Sequence, residues 1–159
     1  MVKRGYELKR WLYRSGGPNR LARVLNRGLA TVHSAGIWPS RLGTLEVPGR
    51  RTGRVVSFPV VVADYEGDRY LVSMLGENAN WVRNARAAGG RVVLRHGRRE
   101  AVLLEEVESD ARAPILRRYL ECAPGARPHI PVDRHAPLEE FEQIAPQVPV
   151  FRVTTDPSG

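Results

Sequence analysis

LGTLEVPGRRTGRVVSFPVVVADYEGDRYLVSML, residues 42–75, decides the fold class. Leu42–Val47 alternates apolar and polar side chains and runs into Pro48-Gly49-Arg50-Arg51-Thr52-Gly53, a turn with glycines near both ends. Val55–Ala63 is β-branched and interrupted by Pro59, which suits an edge strand or a bulge. Tyr65-Glu66-Gly67-Asp68 reads as a hairpin turn and Arg69–Leu75 as the returning strand. Period-two patterning with glycine turns makes this stretch antiparallel sheet.

The pattern continues downstream. Gly76–Asn80 leads into a short helix, Trp81–Ala88, which Gly89-Gly90 ends. Arg91–Arg95 and Arg99–Val107 form a second hairpin around His96-Gly97-Arg98. Asp110 can cap a helix through about Leu120 with Ile115, Leu116, Tyr119 and Leu120 as its apolar face. The Pro-rich stretch Ala123–Pro137 reads as a long loop, Leu138–Ile144 as one or two helical turns and Val148–Val153 as a last strand. About six antiparallel strands with interspersed helices give an α+β domain built round a small barrel, residues 41–155, with a tail over 156–159.

Upstream, residues 1–40 read as a basic amphipathic helical segment. Leu8, Trp11 and Leu12 share one face; after Ser15–Pro18, Asn19 can cap a second helix striped by Leu21, Val24, Leu25, Leu29 and Val32. This segment can lie on an anionic membrane surface, or pack on the barrel or a second subunit.

The 159 residues carry a net charge of +8, unevenly placed: residues 1–60 hold 12 Lys or Arg against 2 acids. Such a bias attracts anionic partners without choosing among phosphorylated ligands, lipids and nucleic acid. No basic-aromatic module for nucleic acid is recognisable, so nucleic acid is not expected as a partner. One cysteine, Cys122, excludes an intramolecular disulfide framework and fits a cytoplasmic setting. The longest stretch without Lys, Arg, Asp or Glu is the 13 residues Gly28–Ser40, short of the roughly 20 a membrane span needs. No apolar signal-peptide core follows the first charged residues.

Gly49–Arg54 is the most informative candidate site. Its glycines expose backbone N–H groups, Arg50 and Arg51 offer forked donors, and Thr52 adds a hydroxyl, a combination suited to anionic oxygens. A solvated, arginine-rich hairpin turn is the alternative. It is not a Walker loop, because no Gly-Lys-Ser/Thr closes it. Trp81, Asn84 and Arg86 share the short helix behind a glycine-containing loop, where a ligand could bind or Trp81 could anchor the core. His129, Asp133, His135 and Glu139 crowd one loop without matching a zinc signature, so no metal is expected. Cys122 reads as a small buried hydrophobe.

Taken together, Leu45–Gly53, Phe58-Pro59, Leu71-Val72-Ser73 and Asn80-Trp81-Val82-Arg83-Asn84 resemble the deazaflavin-dependent nitroreductase family of actinobacteria, split β-barrel flavin and deazaflavin oxidoreductases. The resemblance covers about residues 41–107 and the final strand. It implies a split β-barrel binding coenzyme F420, a deazaflavin carrying a phosphate and an oligoglutamate tail, with FMN or FAD as the alternative. By the same resemblance Arg50, Arg51 and Thr52 would hold the phosphate side, and Val56, Ser57, Phe58 and Pro59 would line the ring. Ser73, Met74 and Leu75 would meet it from the returning strand, and Trp81 with Asn84 would close the other end. The implied chemistry is hydride transfer to a hydrophobic acceptor such as a quinone or nitroaromatic, with no side chain needed as acid or base. A non-catalytic cofactor, lipid or fatty-acid carrier on the same barrel is the second reading, and a homodimer is the assembly the resemblance implies. Where well-known members carry Ser-Lys before the loop glycine, this chain has Met74-Leu75 before Gly76, one cationic contact fewer.

Overall fold

The computed structural model describes residues 41–157; the two helices expected over residues 1–40 and the last two tail residues lie outside them. Seven strands follow one another as β1 (Leu42–Pro48), β2 (Val55–Val61), β3 (Ala63–Tyr65), β4 (Asp68–Val72), β5 (Arg91–His96), β6 (Arg98–Glu106) and β7 (Val150–Thr155). Helix α1 (Asn80–Ala87) joins β4 to β5; α2 (Ala113–Cys122) and α3 (Leu138–Ile144) lie between β6 and β7.

All pairings are antiparallel, in the order β2-β1-β5-β6-β7-β4-β3. The two end strands of this order, β2 and β3, are joined by a single residue, Val62. A sheet whose first and last strands are consecutive in the chain must curl round until its edges meet, which is the α+β split barrel expected. The expected strand Val55–Ala63 is therefore two: Val62 donates its N–H to the Arg41 carbonyl at 2.7 Å beside β1, and from Ala63 the chain pairs with β4 instead. This raises the count from about six strands to seven.

Alternation builds two cores. Leu45, Val47, Phe58, Leu71, Val92, Leu94, Val102, Leu104, Phe151 and Val153 fill the barrel with Trp81 and Val82 of α1. On the other face of β4 and β7, Tyr70, Val72 and Val150 pack beneath Ile115, Leu116, Tyr119 and Leu120 of α2 and Phe141 and Ile144 of α3. Cys122 is buried in this second core, as read, and burial pushes its thiol pKa up.

Two boundaries differ from expectation. The returning strand stops at Val72, because the Ser73 hydroxyl donates to the Gly76 carbonyl at 2.8 Å and Gly76 N–H returns to the Ser73 carbonyl at 3.1 Å. Asp110 does not cap α2; it lies in a 3₁₀ turn, Ser109–Ala111, and the helix starts at Ala113. Pro114 lacks an N–H and is tolerated only in a first helical turn, so the helix cannot begin as early as Asp110. The buried Arg112 ties this junction together, donating to the carbonyls of Val107 (2.7 Å), Ala145 (2.9 Å) and Val148 (3.3 Å). Within the Pro-rich loop, Pro124–His129 is a further 3₁₀ turn.

Candidate functional site

The registers define two ends of the barrel. Pro48 faces Val55, Glu106 faces Phe151 and Val72 faces Val150, so the Gly49–Arg54 turn, the Ser73–Ala79 loop and α1 all gather at one end. The hairpin at Gly97 marks the other. There Arg69 and Glu100 form an ion pair at 2.8 Å, with Arg69 Nη1 3.4 Å from His96 Nδ1.

At the first end the turn is closed by two backbone bonds, Gly49 N–H to the Arg54 carbonyl (2.7 Å) and Gly53 N–H to the Gly49 carbonyl (2.9 Å). Gly53 has φ +73°, a conformation open to glycine and costly for most residues. Thr52 Oγ1 accepts from Arg54 N–H at 3.2 Å. Every residue from Arg50 to Ser57 is exposed. Among the described residues Arg50, Arg51, Arg54, Arg83, Arg91, Arg98, Arg117, Arg127 and Arg134 meet no carboxylate, the first three of them packed into this one turn, while Arg41, Arg69, Arg86, Arg95, Arg99, Arg112, Arg118 and Arg152 all do. The turn thus concentrates cationic charge that this part of the protein leaves unneutralised.

Beside it one inward-facing position of β2 reaches solvent. Val56 pairs with Val47 and so faces inward, yet it is 41% exposed where Val47 is fully buried. Two residues further along β2, Phe58 is buried, its ring centroid 5.8 Å from that of Trp81, which lies 5.4 Å from Phe151. These tilted rings lie in the barrel core next to that position.

The expected site residues fall into three groups. Arg50, Arg51, Thr52, Val56 and Ser57 are exposed, and Pro59 and Met74 are half-buried; Phe58, Ser73, Leu75, Trp81 and Asn84 are buried. The fold brings Arg50 to Asn84, whose Oδ1 accepts from Arg50 N–H at 3.1 Å and from Arg50 Nη1 at 2.8 Å, and Phe58 to Trp81. It does not bring the four β2 residues to one face: Val56 and Phe58 point inward, while Ser57, opposite Glu46, and Pro59, opposite Thr44, point outward. Trp81 is a core anchor, and Ser73 shapes its own loop.

Sequence reasoning places Arg54 in the Gly49–Arg54 segment and Arg83 in the Asn80–Asn84 motif but assigns neither a role of its own. Arg86, noted on the helix, pairs with Glu77 at 2.9 Å and with Glu106, fastening α1 to the preceding loop and to β6, and these partners raise its pKa. Around Asp133, the carboxylate accepts from His135 N–H at 2.7 Å, and burial lowers the His129 pKa. Among the described residues no three His, Cys, Asp or Glu are grouped to hold a metal, and no helix is long and apolar enough to cross a membrane.

A search of curated proteins finds no match. Among solved structures the chain is similar to an F420-H2 dependent reductase, FDR-A, at 17% identity and TM-score 0.51, covering 71% of this chain and 93% of that one. It is also similar to a structure described as a domain-swapped dimer, at 15% identity and TM-score 0.52, over 86% and 99% of the two chains. A protein of unknown function from Agrobacterium tumefaciens matches at 12% identity and TM-score 0.53, over 72% and 48%. At these identities the likeness is one of fold. A sequence model of the F420H(2)-dependent quinone reductase family, by contrast, matches residues 26–138, well over half of the chain. The chain belongs to the F420H(2)-dependent quinone reductase family, oxidoreductases whose cofactor is coenzyme F420.

Proposed function

We propose that this reductase binds F420 at the turn end of its barrel and serves a hydrophobic acceptor, a quinone or nitroaromatic. The observation that carries the reading is the adjacency, within eight residues of chain, of guanidiniums that meet no carboxylate and an inward-facing yet exposed Val56. An anionic phosphate and tail call for the first, and a flat apolar ring for the second, so the residues present fit the cofactor.

The guanidiniums of Arg50 and Arg51 and the Thr52 hydroxyl would hold the phosphate side, since the N–H groups of Gly49, Arg50, Gly53 and Arg54 are spent within the protein. Of the β2 residues Val56 would meet the ring, Ser57 and Pro59 pointing to the other face of the strand, and the half-buried Met74 lies in the loop after β4 at the same end of the barrel. Phe58, Trp81, Ser73 and Leu75 act from beneath, keeping the core rigid and dry. When bound, the reduced deazaflavin supplies a hydride, which a quinone takes up with a proton to become a hydroquinone. The chain contributes position and exclusion of water, and none of its side chains is required as acid or base. The single cysteine, kept as a buried thiol, supports a reducing cytoplasm as the setting. A domain-swapped dimer among the structures of similar fold supports a second copy of the chain as a partner.

Incubating the purified protein with reduced F420 and either a water-soluble quinone or a nitroaromatic, and following the return of oxidised F420 absorbance, tests this reading. Turnover with at least one acceptor is expected. Tight F420 binding without turnover of either would instead make the protein a carrier.

A further inference from the structure

We infer that Asn84 is a positioning residue that holds the Arg50 guanidinium toward the ligand without neutralising it, an inference that rests on the anion-binding reading of the turn. Asn84 is buried on α1, and both donors that reach its Oδ1 belong to Arg50, one from the backbone and one from the side chain. Because both partners can only donate, the oxygen and not the nitrogen of the amide must face them. The helix that offers this oxygen is itself well held: Trp81 is wedged between Phe58 and Phe151, and Arg86 ties α1 to Glu77 and Glu106.

The choice of a neutral acceptor is the telling feature. Eight other arginines lean on carboxylates, which fix a guanidinium and cancel its charge together, and Arg127 and Arg134 meet neutral acceptors as Arg50 does; Arg50 differs in being held by a buried side-chain amide that also takes its backbone N–H. A carboxamide fixes Arg50 and leaves its full positive charge, with its remaining N–H groups, for an anionic ligand. Asn84 thus acts through Arg50, although the two lie 34 residues apart in the chain.

The test is a fluorescence titration of F420 into the wild type, Arg50→Ala, Asn84→Ala, the double variant and Asn84→Asp, with a thermal melt of each. Arg50→Ala should weaken binding about ten-fold or more, as expected for a charged hydrogen bond. Asn84→Ala should weaken it several-fold when Arg50 is present and by less than about two-fold in the Arg50→Ala background. Asn84→Asp keeps both hydrogen bonds and adds a countercharge, so its melting temperature should match or exceed the wild type while F420 binding falls about ten-fold. An equal loss from Asn84→Ala in both backgrounds, or wild-type binding by Asn84→Asp, overturns the inference while leaving the anion turn intact. Unchanged binding by Arg50→Ala overturns the anion turn itself.

Discussion

Val47 and Val56 face each other across β1 and β2 and point to the same side of the sheet, yet the first is fully buried and the second 41% exposed. One rung of the ladder therefore spans the transition from buried core to solvent. A tryptophan placed at position 56 should block this solvent-facing position without disturbing the packed rung beside it. Val56→Trp is expected to leave the melting temperature within about 2 °C, as for other exposed substitutions, and to weaken F420 binding at least about ten-fold. Val47→Ala should do the reverse, costing about 2 kcal/mol in denaturant unfolding with little effect on binding beyond that loss.

Trp81 anchors the core beside that position. Its indole packs between Phe58 and Phe151 in the barrel core, so Trp81→Ala removes a large buried ring with two aromatic partners. Urea unfolding should show a loss of about 3–5 kcal/mol. A loss below about 1 kcal/mol would show that the ring is not part of the core.

Gly90 hands the chain from α1 to β5. It has φ +81°, and a Cβ there would lie 2.4 Å from the Leu104 carbonyl oxygen, which cannot move without breaking into β6. Both effects act in one direction, so Gly90→Ala should destabilise by roughly 1–3 kcal/mol. Gly89→Ala, with φ +66° and open space around its Cβ, should cost less, about 1 kcal/mol. Comparing the two by thermal melting separates steric conflict from backbone strain.

Much of this architecture was legible in the sequence because period-two alternation and turn residues are local signals. Glu66-Gly67, both at positive φ, close the expected two-residue hairpin, and the apolar face of α2 is the one read from Ile115, Leu116, Tyr119 and Leu120. The break at Val62 was not legible, since nothing in Val61-Val62-Ala63 announces that the partner strand changes; only closure of the whole sheet does so. For the site, residue types in the Gly49–Gly53 turn pointed to an anion. The contact of Asn84 with Arg50 depends on how α1 docks at the end of β1. The division of β2 into an inward Val56 and an outward Ser57 depends on register.

Acid should loosen the far end of the barrel. The hydrogen bond from Arg69 holds the Glu100 carboxyl below its ordinary 4.5, against a smaller opposing effect of burial. A carboxylate whose pKa is depressed by folding binds fewer protons in the native state than in the unfolded one. Its stabilisation is therefore full above pH 4.5 and is lost as the pH falls through the lowered value. Glu100→Gln should melt lower than the wild type at pH 7, and the two should converge as the pH drops below 4. A gap that stays constant with pH would show that the ion pair contributes nothing through its charge.

The most direct test of the account is a fluorescence titration of the purified protein with F420, run beside FMN and FAD. Saturable micromolar binding of F420, weakened by added salt as contacts to a polyanion require, with no comparable binding of FMN or FAD, is the predicted result. Tight binding of FMN or FAD with none of F420 would contradict it.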